Sequence, residues 1–146
     1  MHPQLVMNWP AIAVCVVFAM ALGFVWHGPL FGKLWVREMG FPADFKPTPQ
    51  VMVRALALQI VGSFLTSYVL AHDVQIWRPS VWGAGTDAAA ATYGFFAGFF
   101  VWLGFFLPQH FVSVAWEQKS WRLLAINAGY SFVNLQVAGH VLAHWR

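Results

Sequence analysis

The sequence predicts an all-α membrane protein, one domain over residues 1–146 folded as a bundle of four transmembrane helices. Three observations predict it. Eight Lys and Arg and five Asp and Glu make up only 9% of the 146 residues, whereas a soluble domain carries roughly a quarter charged residues. Hydrophobic residues reach 60% and aromatic ones 18%, so polar side chains could not cover a globular surface. The charges also divide the chain into uncharged runs, Met1 to Gly32, Ala55 to His72, Ala88 to Trp116 and Leu123 to Trp145. About 20 apolar helical residues cross a ~30 Å hydrocarbon core. This composition excludes an ordinary soluble enzyme, a disordered chain, a nucleic-acid binder and a disulfide scaffold.

The first helix is expected over about residues 9–31. Ala19-Met20-Ala21 fits a cleavage pattern of small residues, but no Lys or Arg precedes it and the apolar run continues to Phe31. The segment therefore reads as a retained helix, and the chain as a multi-pass protein of a bacterial inner membrane. Cys15, the single cysteine, lies in this run and reads as packing. The first loop, Lys33 to Gln50, holds Lys33, Arg37, Glu38, Asp44 and Lys46, and Pro42, Pro47 and Pro49 prevent a long helix there. Helix two is expected over about 51–72, with Ala55, Gln59, Ser63 and Thr66 as a small and polar seam on one face. The second loop, Asp73 to Thr86, holds Arg78-Pro79 and Gly83-Ala84-Gly85.

Helix three is expected over about 87–108. Asp87, Ala91, Gly94 and Gly98 form a stripe at helical spacing, with Phe96, Phe99, Phe100, Leu103 and Phe106 opposite. Gly94 and Gly98 would let another helix approach closely. The third loop, Gln109 to Ser120, holds Glu117 and Lys119. Helix four is expected over about 121–144, with Asn127, Ser131, Asn134 and Ala138 on one face and Gly129, Gln136 and His140 on the opposite one. Amides left unpaired in hydrocarbon are costly, so this helix should be central or shared with a neighbouring subunit. A homo-oligomer and membrane lipid are the expected partners, with no nucleic acid.

Trp9, Trp77, Trp82 and Trp145 fall on one side and Trp35, Trp116 and Trp121 on the other, as interfacial belts do. Lys33, Arg37, Lys46, Arg54, Lys119 and Arg122 share one side, against Arg78 and Arg146. That bias puts both termini outside and the first and third loops in the cytoplasm. Phe24-Val25-Trp26-His27-Gly28 recurs as Phe100-Val101-Trp102-Leu103-Gly104, which would suit two hairpins related by an axis along the membrane normal.

The run Gly23-Phe24-Val25-Trp26-His27-Gly28-Pro29-Leu30-Phe31-Gly32-Lys33-Leu34-Trp35, followed by Gly40, resembles a family of small bacterial four-helix membrane proteins, domain of unknown function 1761 (DUF1761). Asn127-Ala128-Gly129-Tyr130 and Gly139 extend the resemblance over essentially the whole chain. His27 departs from it, since the family pattern usually has Tyr there. The resemblance implies fold and location and carries no activity. Within the run, Trp26, His27, Gly28, Pro29, Leu30, Phe31, Gly32 and Trp35 form a candidate helix-end motif. Pro29 should kink or end the helix, Gly28 and Gly32 permit close packing, and Trp26 and Trp35 anchor the turn at the interface.

His140 and His144 stand at i, i+4, with His72, Asp73 and Asp87 on the same outer surface. Such a set would suffice for Zn or another transition metal, or for axial ligation of haem. No Cys or Glu-x-x-His pattern supports it, so a metal is not expected. His27 and His110, with the polar seams, would suit a proton-coupled path, yet no acidic residue lies mid-membrane. There is no Gly-x-Ser-x-Gly, Walker loop or carboxylate pair, and Arg37, Glu38, Arg54, Glu117 and Arg122 read as interfacial anchors. The expected function is therefore non-enzymatic: a self-associating membrane protein that holds a lipid or other hydrophobic ligand, or an accessory subunit, without another cofactor. One alternative is a small transporter or channel lined by the seam of Gln59, Ser63, Asn127, Ser131 and Asn134. Another is a metal- or haem-binding membrane protein.

Overall fold

Residues 2–145 are described by a computed structural model; Met1 and Arg146, the latter one of the outer-side cations above, lie outside them. Helix α1 (Trp9–Val25) continues into a π-helical turn, Trp26–Leu30, and the short α2 (Gly32–Glu38) follows. Helix α3 spans Pro49–Ile76 and leads to a 3₁₀ turn at Pro79–Trp82. Helix α4 (Ala90–Val101), a second π turn (Trp102–Phe106) and α5 (Leu107–Ala115) form one rod, and α6 spans Trp121–His144. Among the described residues there is no strand. Three of the helices begin on side-chain caps: Asn8 accepts from the Ala11 amide, Thr48 from Val51 and Ser120 from Leu123.

Three rods are long and apolar enough to cross a membrane: Trp9–Leu30 with 22 residues, Pro49–Ile76 with 28 and Ala90–Ala115 with 26. The 24 residues of α6 reach about 36 Å at 1.5 Å per residue, but Asn127, Asn134, Gln136 and His140 make it more polar. Two expected boundaries move. Helix two runs past both of its expected ends, and the third rod continues through Gln109–Ala115, expected as loop. The π turn ahead of Pro108 alters the hydrogen-bond register, so the missing N–H does not stop the rod. Asp87, expected in the stripe of helix three, precedes the helix, which starts at Ala90.

Helix α6 touches α1, α2, α3, α4 and α5 and so occupies the centre. It meets α4 backbone to backbone. A Cβ on Gly94 would lie 2.8 Å from the Gly139 carbonyl oxygen, and one on Gly98 2.7 Å from that of Leu135. A Cβ on Gly139 would collide with the Gly94 oxygen. The small-residue seam is thus consumed within the chain. Gln136 Nε2 donates to the Phe95 carbonyl at 3.4 Å, which gives the second polar face of α6 a protein partner. Trp26 Nε1 donates to the Ile126 carbonyl and Trp102 Nε1 to that of Ala128, both at 2.9 Å. Both motif tryptophans open a π turn and both point at α6. Two-fold related hairpins would set Trp102 against α3, so the repeat is one of motif and not of packing.

An apolar core fills the half of the bundle where α1 begins and α3 and α6 finish. Ile12 and Cys15 of α1, Leu70 and Val74 of α3, Ala97 of α4, and Leu135 and Leu142 of α6 belong to it. Arg78, 1% exposed, closes this end. Its Nη2 donates to the Ala143 carbonyl at 2.7 Å and its Nε to that of Val74 at 3.4 Å. Its Nη1 pairs with Asp87 at 3.5 Å, and its guanidinium lies over the Tyr93 ring. Asp87 also accepts from the Ser80 amide at 2.9 Å and hydroxyl at 2.8 Å. Arg78 is therefore a clamp on the ends of α3, α6 and α4 rather than a free loop cation.

Glu38 ties α2 to α6 at the other end. It accepts from the Ser120 hydroxyl at 2.6 Å and pairs with Arg37 at 3.1 Å and Arg122 at 3.9 Å. The Ser120 hydrogen bond, then that of Arg37, holds its carboxyl below the usual carboxylate range. The folded chain thus binds this proton less readily than the unfolded one. The contribution to stability is complete above the ordinary glutamate value of about 4.3 and is lost as pH falls through the lowered one. The melting-temperature difference between the wild type and Glu38→Gln should be constant from about pH 8 to 6 and shrink below the ordinary glutamate value. Gly139→Ala should destabilise the chain by ~1–3 kcal/mol by forcing α4 and α6 apart. Gly62→Ala, with open space around its Cβ, should be neutral or stabilising by up to ~1 kcal/mol. Thermal unfolding in detergent reads both.

Candidate functional site: a polar cavity among the helices

Helix α3 buries residues in its second half only. Ser63, Ser67, Leu70, Ala71 and Val74 are buried, whereas residues 49–62 are exposed around the whole helix, with Val53 at 68% and Leu58 at 62%. The space between this half and the other helices is a cavity of about 370 Å³. Helix α3 contributes Gln59, Gly62, Ser63 and Thr66 to its wall, and α6 contributes Asn127, Tyr130, Ser131 and Asn134. His27 comes from the first π turn, Phe106 from the second and His110 from α5. All five expected seam residues meet here. Helical spacing brings them together, since 59, 63 and 66 share one face of α3 and 127, 131 and 134 one face of α6.

Tyr130 is a wall residue that the seam pattern omits, although it lies three residues after Asn127 and four before Asn134 on the same face. Its hydroxyl donates to the Ala19 carbonyl at 3.0 Å and accepts from Gln59 Nε2 at 3.2 Å. Its ring lies 5.1 Å from that of His27. Ser131 Oγ donates to the Ala128 carbonyl at 3.0 Å. Two wall atoms are buried without a partner, Asn134 Oδ1 and His110 Nε2. Each such atom costs about 1–3 kcal/mol, and both belong to residues that line this one cavity. Asp, Glu, Lys and Arg are missing from the wall. The set suits binding of an uncharged polar group, and it holds no nucleophile–base pair or carboxylate for acid–base work.

The helix-end motif frames this cavity. Pro29 lies inside the π turn, which ends at Leu30 before the chain breaks at Phe31. The Trp26 indole is bonded to α6 and packs on Phe31 at 4.9 Å. A Cβ on Gly28 would meet nothing within 4 Å, so no close packing requires that glycine, whereas on Gly32 it would lie 2.7 Å from the His27 carbonyl oxygen. Trp35 packs edge-on against His27 at 5.9 Å.

The outer histidines do not converge. Nδ1 of His72, His140 and His144 each pairs with the backbone carbonyl four residues earlier, at 2.8–2.9 Å, and Asp87 is committed to Arg78 and Ser80. Among the described residues, no group of three His, Cys, Asp or Glu is placed to hold a metal ion. A separate groove of about 430 Å³ runs along the exposed side of α3 and α4, between Asp73, Trp77, Tyr93, Phe96 and Phe100.

Replacing Asn134 by Leu removes one orphaned oxygen and fills space. It should raise stability by about 1 kcal/mol; a loss of stability of that size, read by thermal unfolding, would show that the amide is paired.

Residues 10–143 match the family described as a protein of unknown function (DUF1761). No curated protein and no solved structure matches the chain.

Proposed function

The chain belongs to the DUF1761 family, and on that premise we propose that it is a non-enzymatic, multi-pass membrane protein that binds an amphipathic ligand of the lipid class. The polar head occupies the cavity beside Asn134 and His110, and the apolar tail lies along the exposed half of α3. The carrying observation is that the two residues with orphaned polar atoms both line one cavity without Asp, Glu, Lys or Arg in its wall, next to the exposed and mostly apolar half of α3. In this reading α6 is the fourth span of a four-helix bundle in a bacterial inner membrane. It tolerates its amides because the other helices surround it. The cation bias supports an orientation with both termini outside. A transporter or channel would use the same wall, with solute moving past it.

Native mass spectrometry of the protein released from its membrane in mild detergent tests the proposal. The wild type should carry one lipid-sized mass, and Asn134→Leu and Gln59→Leu should lose it while remaining folded. A bare wild type, or full retention by both variants, would refute lipid binding. Solute flux in proteoliposomes that Asn134→Leu abolishes, with no retained mass, would favour the transporter.

A further inference from the structure

Two neighbouring spaces share walls with the cavity. One of about 220 Å³ is bounded by Ser113, Glu117 and Lys119, and has His110 and Asn127 in common with it. Another of about 730 Å³ is bounded by Gly32, Lys33 and Arg37, and has His27 in common with it. Both lie toward the ends of the rods where α2 and the turn before α6 are found, and both carry the charged residues that the cavity lacks. In the opposite direction the polar wall stops. One turn beyond Thr66 and Asn134, the chain presents Leu70, Ala71, Val74, Leu135 and Ala138, packed against Ile12 and Cys15. Arg78 closes the far end of that core.

We infer that the cavity is a one-sided, hydrated inlet. It is reached from the face that carries Glu117 and Lys119 through a throat between His110 and Asn127, it takes an uncharged hydroxylated head group, and the apolar core seals it from the other face. Three features carry this. His110 and Asn127 border both spaces, His110 also bears one of the two orphaned atoms, and the buried layer beyond Thr66 and Asn134 is aliphatic apart from Ser67. Asn134 Oδ1 needs a donor and His110 Nε2 accepts or donates according to its tautomer, so one hydroxyl can serve either atom. A phosphate would have no cation within the wall to meet it. The head-group part rests on the ligand reading above, whereas the access part does not.

Thiol accessibility tests it in the otherwise wild-type chain, whose own Cys15 is 2% exposed in the core. Thr66→Cys puts a thiol in the cavity and Asn127→Cys one in the throat. Membrane vesicles of either orientation are treated with a small, charged, membrane-impermeant thiol reagent. Both variants should react at least tenfold faster from the face carrying Glu117 and Lys119, and Cys15 from neither. Comparable rates from both faces would mean a through-pore, and no reaction from either a dry cavity; each overturns the inlet. If a variant fails to fold, hydroxyl-radical footprinting of the wild type replaces it: His110 should be oxidised and Cys15 spared, and a protected His110 overturns the proposal. Added dioctanoylglycerol should slow labelling of Thr66→Cys, and the anionic dioctanoylphosphatidylglycerol should not. Equal protection by both would overturn the head-group class alone. Sidedness that persists without any retained lipid would separate a failed ligand reading from a failed inlet.

Discussion

The backbone contact between Gly94 and Gly139 is what the remaining packing is built around. Lipid tails are as apolar as leucine side chains, so helices in a bilayer gain little from burying leucine and much from close van der Waals approach. Two glycines facing each other, with Gly98 against Leu135 one turn on, bring α4 and α6 closer than a Cβ at these positions would allow. Once α6 is held there, its other faces must be covered, since they carry amides and an imidazole. Helices α1, α3 and α5 and the two tryptophan indoles do the covering. The second hydrogen bonds that Trp26 and Trp102 place on the Ile126 and Ala128 carbonyls set how far each neighbour rotates about α6.

The two ends of the bundle are closed by different electrostatics. Arg78 is buried, so its guanidinium needs every donor directed at an acceptor. It obtains the carbonyls at the ends of α3 and α6, where helix dipoles are negative, together with Asp87. Breaking such a buried pair costs about 3–5 kcal/mol because the surviving charge is stranded. Glu38 sits at the solvated end and joins α2 to the capping residue of α6. Exposed pairs of this kind contribute little each; here the gain is positional, since the same Ser120 hydroxyl that caps α6 also holds α2.

Between those closures, α3 divides the molecule into a packed half and an open half. Its second half is locked into the apolar core, while residues 49–62 are exposed and meet α6 through the Gln59–Tyr130 hydrogen bond. An open half costs packing, and the cavity beside it costs the desolvation of two unpaired polar atoms. A bundle selected only for stability would fill that space with aliphatic side chains. Asn134 and His110 there are local compromises of the kind that functional sites carry, and the proposed binding role rests on them. The π turns belong to the same picture, because they aim His27 and Phe106 at the cavity and not along the ordinary helical register.

Much of this was legible before any coordinates. Bilayer thickness and the need to pair every backbone group leave a chain of this composition little choice but long helices, and the uncharged runs locate them. Helical periodicity also places Gln59, Ser63, Asn127, Ser131 and Asn134 on two inward faces, and the two polar stripes of α6 already require it to be surrounded. Other features depend on neighbours that no spacing reveals. Arg78 reads as a loop charge because two of its partners, Ala143 and Tyr93, are remote in the chain or on another element, and Asp87 reads as part of the helix-three stripe although it precedes the helix and pairs with Arg78. Gly28 and Gly32 look alike in sequence, and only the position of the His27 carbonyl distinguishes them. Tyr130 looks like one more aromatic until its hydroxyl is seen to bridge Ala19 and Gln59. The sequence by itself determined the helices and which of their faces turn inward, because both follow from local periodicity and the solvent. Tertiary structure alone decided which inward polar atoms are satisfied and which are not, because pairing depends on distances between segments far apart in the chain.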